Sequence, residues 1–405
     1  MGPTSVGGPP VRVVVTGIGV VSGPAFGVDA FWAALLDPTP RATHRIAKGF
    51  RPRDWLDRRS AQRTARFAQL AVAAGRLAHD DAGAPELDAD RTAVILGAGT
   101  GGLETILAAE RELDAHGATA VPHLLPVQSM SNAGSANVAF QLGARGAVYS
   151  VSAGCASGTQ AIGDGLRAIR SGQASVVYAG ASDSSISHDD PERDVIVAGL
   201  VNLRVHTTER TARPFDRQRD GFVFAEGAAV LRLESADAAR ARGARAYAEV
   251  LGAASTADAY DLIAPEPTGE GLRRAMTLAL AEGGATAADV RHVNTHGTAT
   301  QSNDSAELAA LRLLFGRPGP AVNSVKGVTG HAGAASGAIE AAAVALAIER
   351  RVLPPTGGLI DPDPKLLEGI DILTEARPWE PGVSLSNSLS LGGLNSSVAV
   401  GPPPD

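Results

Sequence analysis

Cysteine is all but missing from this chain: Cys155 is the only one. A lone thiol excludes an intrachain disulfide and any metal site built on several thiolates, leaving a small buried hydrophobe or a reactive sulfur. Lysine is nearly as scarce. Lys48, Lys326 and Lys365 are set against a total of 36 lysines and arginines, so each marks a place where arginine was not used. Aromatics make up 4% of the residues, too few for a core of packed rings, while the 47 glycines point to close backbone packing and many tight turns. No run of about 18 apolar residues occurs, and the first residues lack a basic stretch followed by an apolar one. Neither a spanning helix nor a secretory leader is expected, and the chain reads as cytoplasmic. A formal net charge of −7 gives no general attraction for polyphosphate, so neither nucleic acid nor a membrane is an expected partner.

At 44% hydrophobic and 20% charged, the chain has enough apolar material for one large domain or two fused ones. Short β-branched runs at residues 11–15, 92–96, 176–179 and 228–233 alternate with helical patterns at 65–78, 156–170 and 338–350, the order of an α/β protein. The charged segment 235–243 separates two halves that each begin with a strand-like run. Gly/Pro tails are expected at 7–10 and 402–404.

Three small-residue turns hold the reactive side chains. In Val151-Ser-Ala-Gly-Cys-Ala-Ser-Gly-Thr159 a thiol stands where a strand turns into a helix, exposed to substrate and beside the positive end of the helix dipole. Asn294-Thr-His-Gly-Thr-Ala-Thr300 puts His296 after a short strand and before two threonines that can bond a polar ligand. Asn323-Ser-Val-Lys-Gly-Val-Thr-Gly-His-Ala-Gly333 holds Lys326 and His331 in a loop whose glycines let backbone approach a ligand. A thiol with two histidines and a lysine, without the i, i+3 or i+4 ligand spacing of a zinc site, points to acyl transfer without metal.

Two other motifs have bland explanations. Gly97-Ala-Gly-Thr-Gly-Gly102 fits the dinucleotide pattern, but the stretch that follows lacks the second strand ending in an acid, so a structural turn is the better reading. The run Arg58, Arg59, Arg63, Arg66 fits a solvated helix face and equally an acidic protein partner.

Together, and in this order, the three turns resemble those of the β-ketoacyl-acyl-carrier-protein synthases of the thiolase superfamily. Val13-Val-Val-Thr-Gly-Ile-Gly-Val-Val-Ser22 with Phe31 and Trp32 is similar to that family's first strand and helix. Pro214-Phe-Asp-Arg-Gln-Arg-Asp-Gly-Phe-Val-Phe-Ala-Glu-Gly227 resembles its central signature, and Asp258-Ala-Tyr260 and Asn387-Ser-Leu-Ser-Leu-Gly-Gly-Leu-Asn395 resemble two active-site loops.

The resemblance implies a five-layered αβαβα thiolase fold of two similar halves, 1–245 with the nucleophile and 246–405 with both histidines. It implies a homodimer, or a heterodimer with a chain-length-factor-like subunit, working on substrates carried by an acyl carrier protein and with no tightly bound cofactor. Cys155 would accept the acyl chain, and His296 and His331 would stabilise the enolate left when a malonyl group loses CO2. Lys326 and Glu340 would support His331 and its loop, and Asp304 and Glu307 would brace the His296 loop. The amides of Cys155 and Leu391 would form the oxyanion hole, with Leu391, Gly392 and Gly393 as gate. Thr298 and Thr300 would bind pantetheine, and Arg63, Arg66 and Arg204 would dock the carrier. Thr100, Met130 and Leu391 are further pocket or gate positions by the same resemblance.

The chain departs from the family pattern in places. Ser390-Leu391-Gly392-Gly393 stands where Gly-Phe-Gly-Gly is usual, Ala225 replaces a glycine, and the His296 loop continues Gln301-Ser-Asn303. Gly154, with Ala181-Ser-Asp-Ser184, is similar to the ketosynthase subunits of type II polyketide systems. The expectation is therefore a decarboxylative condensing enzyme of a polyketide or specialised fatty acyl pathway. Housekeeping fatty-acid elongation, a non-catalytic chain-length-factor-like subunit and a nicotinamide oxidoreductase are the alternatives.

Overall fold

The computed structural model describes residues 10–404 except 24, 38, 40–45, 185–193, 208 and 210; most of the expected N-terminal tail lies outside these. Ten strands carry the architecture: β1 (Val13–Ser22), β2 (Thr92–Gly97), β3 (Val148–Val151), β4 (Val176–Asp183), β5 (Gly227–Ser235), β6 (Ala248–Ala257), β7 (Val290–Asn294), β8 (Ala321–Asn323), β9 (Val383–Ser390) and β10 (Leu394–Gly401). They run β3-β2-β4-β5-β1 in the first half and β8-β7-β9-β10-β6 in the second. Within each set the two junctions nearest the outer edge are parallel and the next two antiparallel. Each strand of the first half therefore has a counterpart five places later. The halves join where Val13, Val14 and Val15 pair antiparallel with Val250, Glu249 and Ala248.

Five helices complete the layers: α1 (Arg66–Asp81), α2 (Ser157–Arg170), α3 (Glu270–Glu282), α4 (Gln301–Phe315) and α5 (Ser336–Arg350). Helix α1 packs on β1 and β5, α3 packs on β6 and β10, and α2 and α5 pack on each other between the two sheets. The result is the layer order αβαβα.

Residue choice explains the middle layer. Helix α5 is buried from Ser336 to Ile348, and it can be so because six of those positions are alanine, which carries no polar group and loses no rotamer freedom. Its approach to α2 is close enough that a methyl on Gly158 would lie 2.7 Å from the Ala338 amide nitrogen. Glycine and alanine thus let two helices and two sheets share one core, in which Ile162, Leu166, Ile339 and Leu346 are among the bulky members.

Strands and helices expected from the sequence occur, mostly longer than their apolar runs. The first strand extends to Ser22 because it stays buried throughout. The charged segment near 240 forms only the short helix Ala236–Ala241.

Candidate active site

The reactive turns converge because of where they sit on strands. Cys155 follows β3 and precedes α2, His296 follows β7, His331 lies between β8 and α5, and Ser390 ends β9. All four therefore occupy the carboxyl ends of strands in the two sheets, where α/β proteins gather their ligand-binding groups. Cys155, His296 and His331 line one cavity of about 110 Å³ with Thr298, Thr300, Leu389, Ser390 and Leu391. Phe222, Phe224, Leu200 and Val205 form its apolar wall.

The two imidazoles stand with ring centroids 5.2 Å apart and nearly perpendicular planes. Burial, then the charge of Lys326 and the neighbouring His331, holds His296 well below the ordinary histidine value; burial and Lys326 do the same to His331. Both rings are thus neutral near pH 7. Lys326 Nζ lies 3.1 Å from His296 Nδ1 and 2.5 Å from its carbonyl oxygen. An ammonium can only donate, so Nδ1 accepts and the proton of His296 sits on Nε2. His331 Nδ1 lies 2.9 Å from Ser336 Oγ, and Phe222 packs edge-on against the ring at 4.7 Å.

Lys326 is fully buried and ion-paired to Glu340, whose carboxyl burial pushes up to about 7 even so. Lys326 lies in the His331 loop and its charge acts on that ring, but its ammonium is bonded to His296, and the direct hydrogen-bond partner of His331 is Ser336. The backbone of His331 is clamped instead by the central signature, donating to Val223 O at 2.8 Å and accepting from Ala225 N at 2.9 Å.

Glu307 and Asp304, both on α4, hold the His296 loop. Glu307 accepts the amides of His296 and Gly297 at 2.8 and 2.9 Å. Asp304 accepts those of Ala299 and Phe215 at 3.1 and 2.9 Å, two non-glycine residues with φ of +64° and +63°. Burial raises these carboxyls to about 7 and about 6.

Thr298 and Thr300 are buried in the cavity wall and bond each other at 3.0 Å. Leu391, Gly392 and Gly393 form the turn after β9, where the Gly392 amide donates to Leu262 O and the Asp258 amide to Gly393 O; Gly392 and Gly393 have φ of +89° and +70°.

Some expectations fail on position. With the thiol free, the Cys155 amide is occupied and not open for an oxyanion, since it donates to Ser390 Oγ at 3.0 Å. Arg66 is not a docking residue: it is almost wholly buried, paired with the inaccessible carboxylate of Glu226 at 2.6 Å. Arg63 and Arg204 are exposed. Met130 lies with Arg63 in a different cavity, and Thr100 does not line the one at Cys155. The glycines of 97–102 pack against the protein; a methyl at Gly97 would come within 2.7 Å of Ser157, so the motif is a close strand–helix contact. Ser336 carries no local signal that distinguishes it from other serines, and Ser390 is visible in the sequence only as a departure from the usual Gly-Phe-Gly-Gly loop, with nothing to say that it meets Cys155.

Among the described residues no group of His, Cys, Asp and Glu is arranged to hold a metal ion, and no helix is long and apolar enough to cross a membrane.

The layers and the cavity define a thiolase-type fold with a cysteine and two histidines at its centre. The family model for the beta-ketoacyl synthase N-terminal domain matches residues 51–239 and that for the C-terminal domain matches 247–359, and the chain belongs to the beta-ketoacyl synthase family, acyltransferases that form carbon–carbon bonds. It is 35% identical over 412 residues to the 3-oxoacyl-[acyl-carrier-protein] synthase 2 of Staphylococcus aureus (strain MRSA252), covering 95% of this chain and 97% of the relative. It is 37% identical over 421 residues to the protein of that name from Rhizobium meliloti (strain 1021), covering 96% and 98%. Among solved structures, the ishigamide ketosynthase/chain length factor is similar with a TM-score of 0.89 at 30% identity over 97% of this chain and 99% of that one. A beta-ketoacyl synthase from Burkholderia phymatum STM815 gives 0.87 at 32% over the same shares. The ketosynthase of a type II polyketide synthase bound to a hexaketide and in complex with its acyl-carrier protein gives 0.86 at 26%, over 97% of this chain and 100% of that one.

Proposed function

We propose that Cys155 takes an acyl chain from an acyl carrier protein as a thioester and that the chain is then extended by two carbons from a malonyl carrier thioester. The observation that carries this is the meeting of one thiol and two neutral imidazoles around a single cavity. The first step exchanges thioesters: the Cys155 S–C bond forms, the carrier S–C bond breaks, and the thiol proton passes to the departing carrier sulfur. In the second, the malonyl C–CO2 bond breaks and its electron pair becomes an enolate, whose thioester oxygen accepts hydrogen bonds from His296 Nε2 and His331. Neutral donors suit this step, because losing CO2 creates the carbanion without a strong base. The carbanion attacks the acyl-cysteine, the S–C bond breaks, and the β-ketoacyl carrier product leaves. Nothing in the sequence of steps asks for a bound cofactor.

Lys326 fixes the tautomer of His296, Glu340 anchors Lys326, and Asp304 and Glu307 hold the His296 loop. Thr298 and Thr300 face the cavity as bonding partners for the pantetheine arm, and Leu391, Gly392 and Gly393 form its gate. Arg63 and Arg204 offer exposed cations to an acidic carrier; Arg204 directly precedes Val205 of the cavity wall. Residues 1–245 and 246–405 act as the two halves. The edge strand β3, with Val148 and Tyr149 exposed near the 79% exposed Phe140, supports a dimer with a second copy or a related subunit. A cytoplasmic polyketide or specialised fatty acyl pathway is the setting this reading favours.

Intact-mass measurement after incubation with a panel of acyl-carrier thioesters tests it. Wild type should gain one acyl mass and Cys155→Ala none; no adduct under any condition, a co-expressed partner subunit included, would overturn the reading.

A further inference from the structure

Ser390 Oγ occupies the place where a thioester oxygen bound to Cys155 would look for the Cys155 amide. It accepts that amide proton at 3.0 Å, inside the range at which oxyanion donors work. A hydroxyl that accepts still has one proton to give; Ser390 lowers the Cys155 thiol against the burial that pushes it up to about 11, the direction expected of a donor facing that sulfur. The other wall of the contact is matched to it. Gly154, with φ of +53°, leaves open the volume that Ser390 Oγ fills, and a methyl there would collide with that oxygen. Gly154 and Ser390 come from opposite halves of the chain, so the fit is between two loops and is not a local turn.

Resting on the assignment of Cys155 as acyl acceptor, we propose that Ser390 is a positioning residue with two successive tasks. While the thiol is free, its hydroxyl bridges the amide and sulfur of Cys155 and donates to the thiolate as acyl transfer begins. Once the thioester forms, the sulfur no longer needs that proton and the carbonyl oxygen needs the amide, so the hydroxyl turns to another staggered well and yields the oxyanion position. No other group leaves or enters: the thioester exchange keeps its own proton balance, and the serine only changes partners.

The test uses the full chain, whose single thiol makes alkylation by iodoacetamide report on Cys155 alone. Rates are followed from pH 7 upward for wild type, Ser390→Ala, Ser390→Gly and Gly154→Ala, with circular dichroism to establish folding. Losing the donor should make the thiolate harder to form, displacing the pH–rate curve upward by about one unit, that is about tenfold slower at fixed pH. Easier access through a smaller side chain would act the other way, so the direction decides. Gly154→Ala should slow alkylation in the wild-type background and add nothing once Ser390 is alanine. The same preparations are acylated with a carrier thioester and weighed. Wild type that acylates while both serine variants alkylate as fast as it does, or faster, overturns the role of Ser390. Wild type that never acylates removes the acceptor assignment itself, a failure visible whatever the alkylation curves show.

Discussion

Lys326 is the residue whose loss the site should feel most beyond the three reacting groups. It is inaccessible and bonded to a ring nitrogen, a carbonyl and a carboxylate, so Lys326→Met removes the donor that fixes the His296 tautomer and strands Glu340 in the core. Malonyl-carrier decarboxylation should fall by about 10²-fold or more, and thermal unfolding should show a loss of about 3 kcal/mol; Lys326→Met with Glu340→Gln should recover much of the stability and little of the rate. The depressed histidines predict the pH response. A ring held well below 6.5 stays neutral as pH falls through 6.5, and the neutral ring is the working donor. Decarboxylation by a Cys155→Ala variant should therefore show no acid limb between pH 7.5 and about 6. A twofold drop centred near 6.5 would mean at least one ring titrates normally. The unfolded chain does take up protons on these two histidines in that window, which costs stability as pH falls below 6.5, while Asp304, Glu307 and Glu340, raised by burial, let the folded state bind protons first and act in the opposite direction.

At the scale of elements, α4 acts as a bracket. Asp304 and Glu307 lie on one face and reach four backbone amides in two loops, among them those of Phe215 and Ala299 in the left-handed region, which costs a non-glycine residue about 1 kcal/mol each. Asp304→Ala should free both turns, lowering stability by about 2 kcal/mol and kcat for condensation more than tenfold with a smaller change in KM. Kinetics with a fixed carrier substrate would show whether the loss falls on kcat. What was legible in the sequence follows the same logic. Cys155, His296 and His331 stood out because their side chains are scarce and their turns are rich in small residues, and the alternation of strand and helix gave the α/β order. Ser390 could not be read in this way, since its partner is 235 positions away and only folding brings the two together. The bond from Lys326 to His296 is hidden for a similar reason: nearness in sequence to His331 says nothing of a side chain long enough to cross to the neighbouring loop. Arg66 reads as surface because it follows Arg58, Arg59 and Arg63, yet their helix ends at Arg63 and, after an extended break at Thr64 and Ala65, Arg66 opens α1 and is directed inward onto Glu226.

At the scale of the whole molecule, the two arginines expected to share a docking role should part company. Arg63→Glu should weaken use of the carrier about fivefold or more in KM, most clearly at low salt, and leave the melting temperature almost unchanged. Arg66→Ala should do the reverse, costing about 3 kcal/mol by leaving Glu226 buried beside an empty space. The pairing of β6 has a consequence of another kind. Glu249 is opposite Val14 on one side and Gly401 on the other, which puts the first and last strands about 10 Å apart, two strand spacings. A short Gly/Ser linker can close that gap, and an opening between Ala241 and Arg245, where the chain turns from one half to the other, would let translation begin with the histidines and finish with the thiol. Such a circularly permuted chain should still condense acyl groups, because the reaction centre depends on how the two sheets face each other and not on which of them leaves the ribosome first.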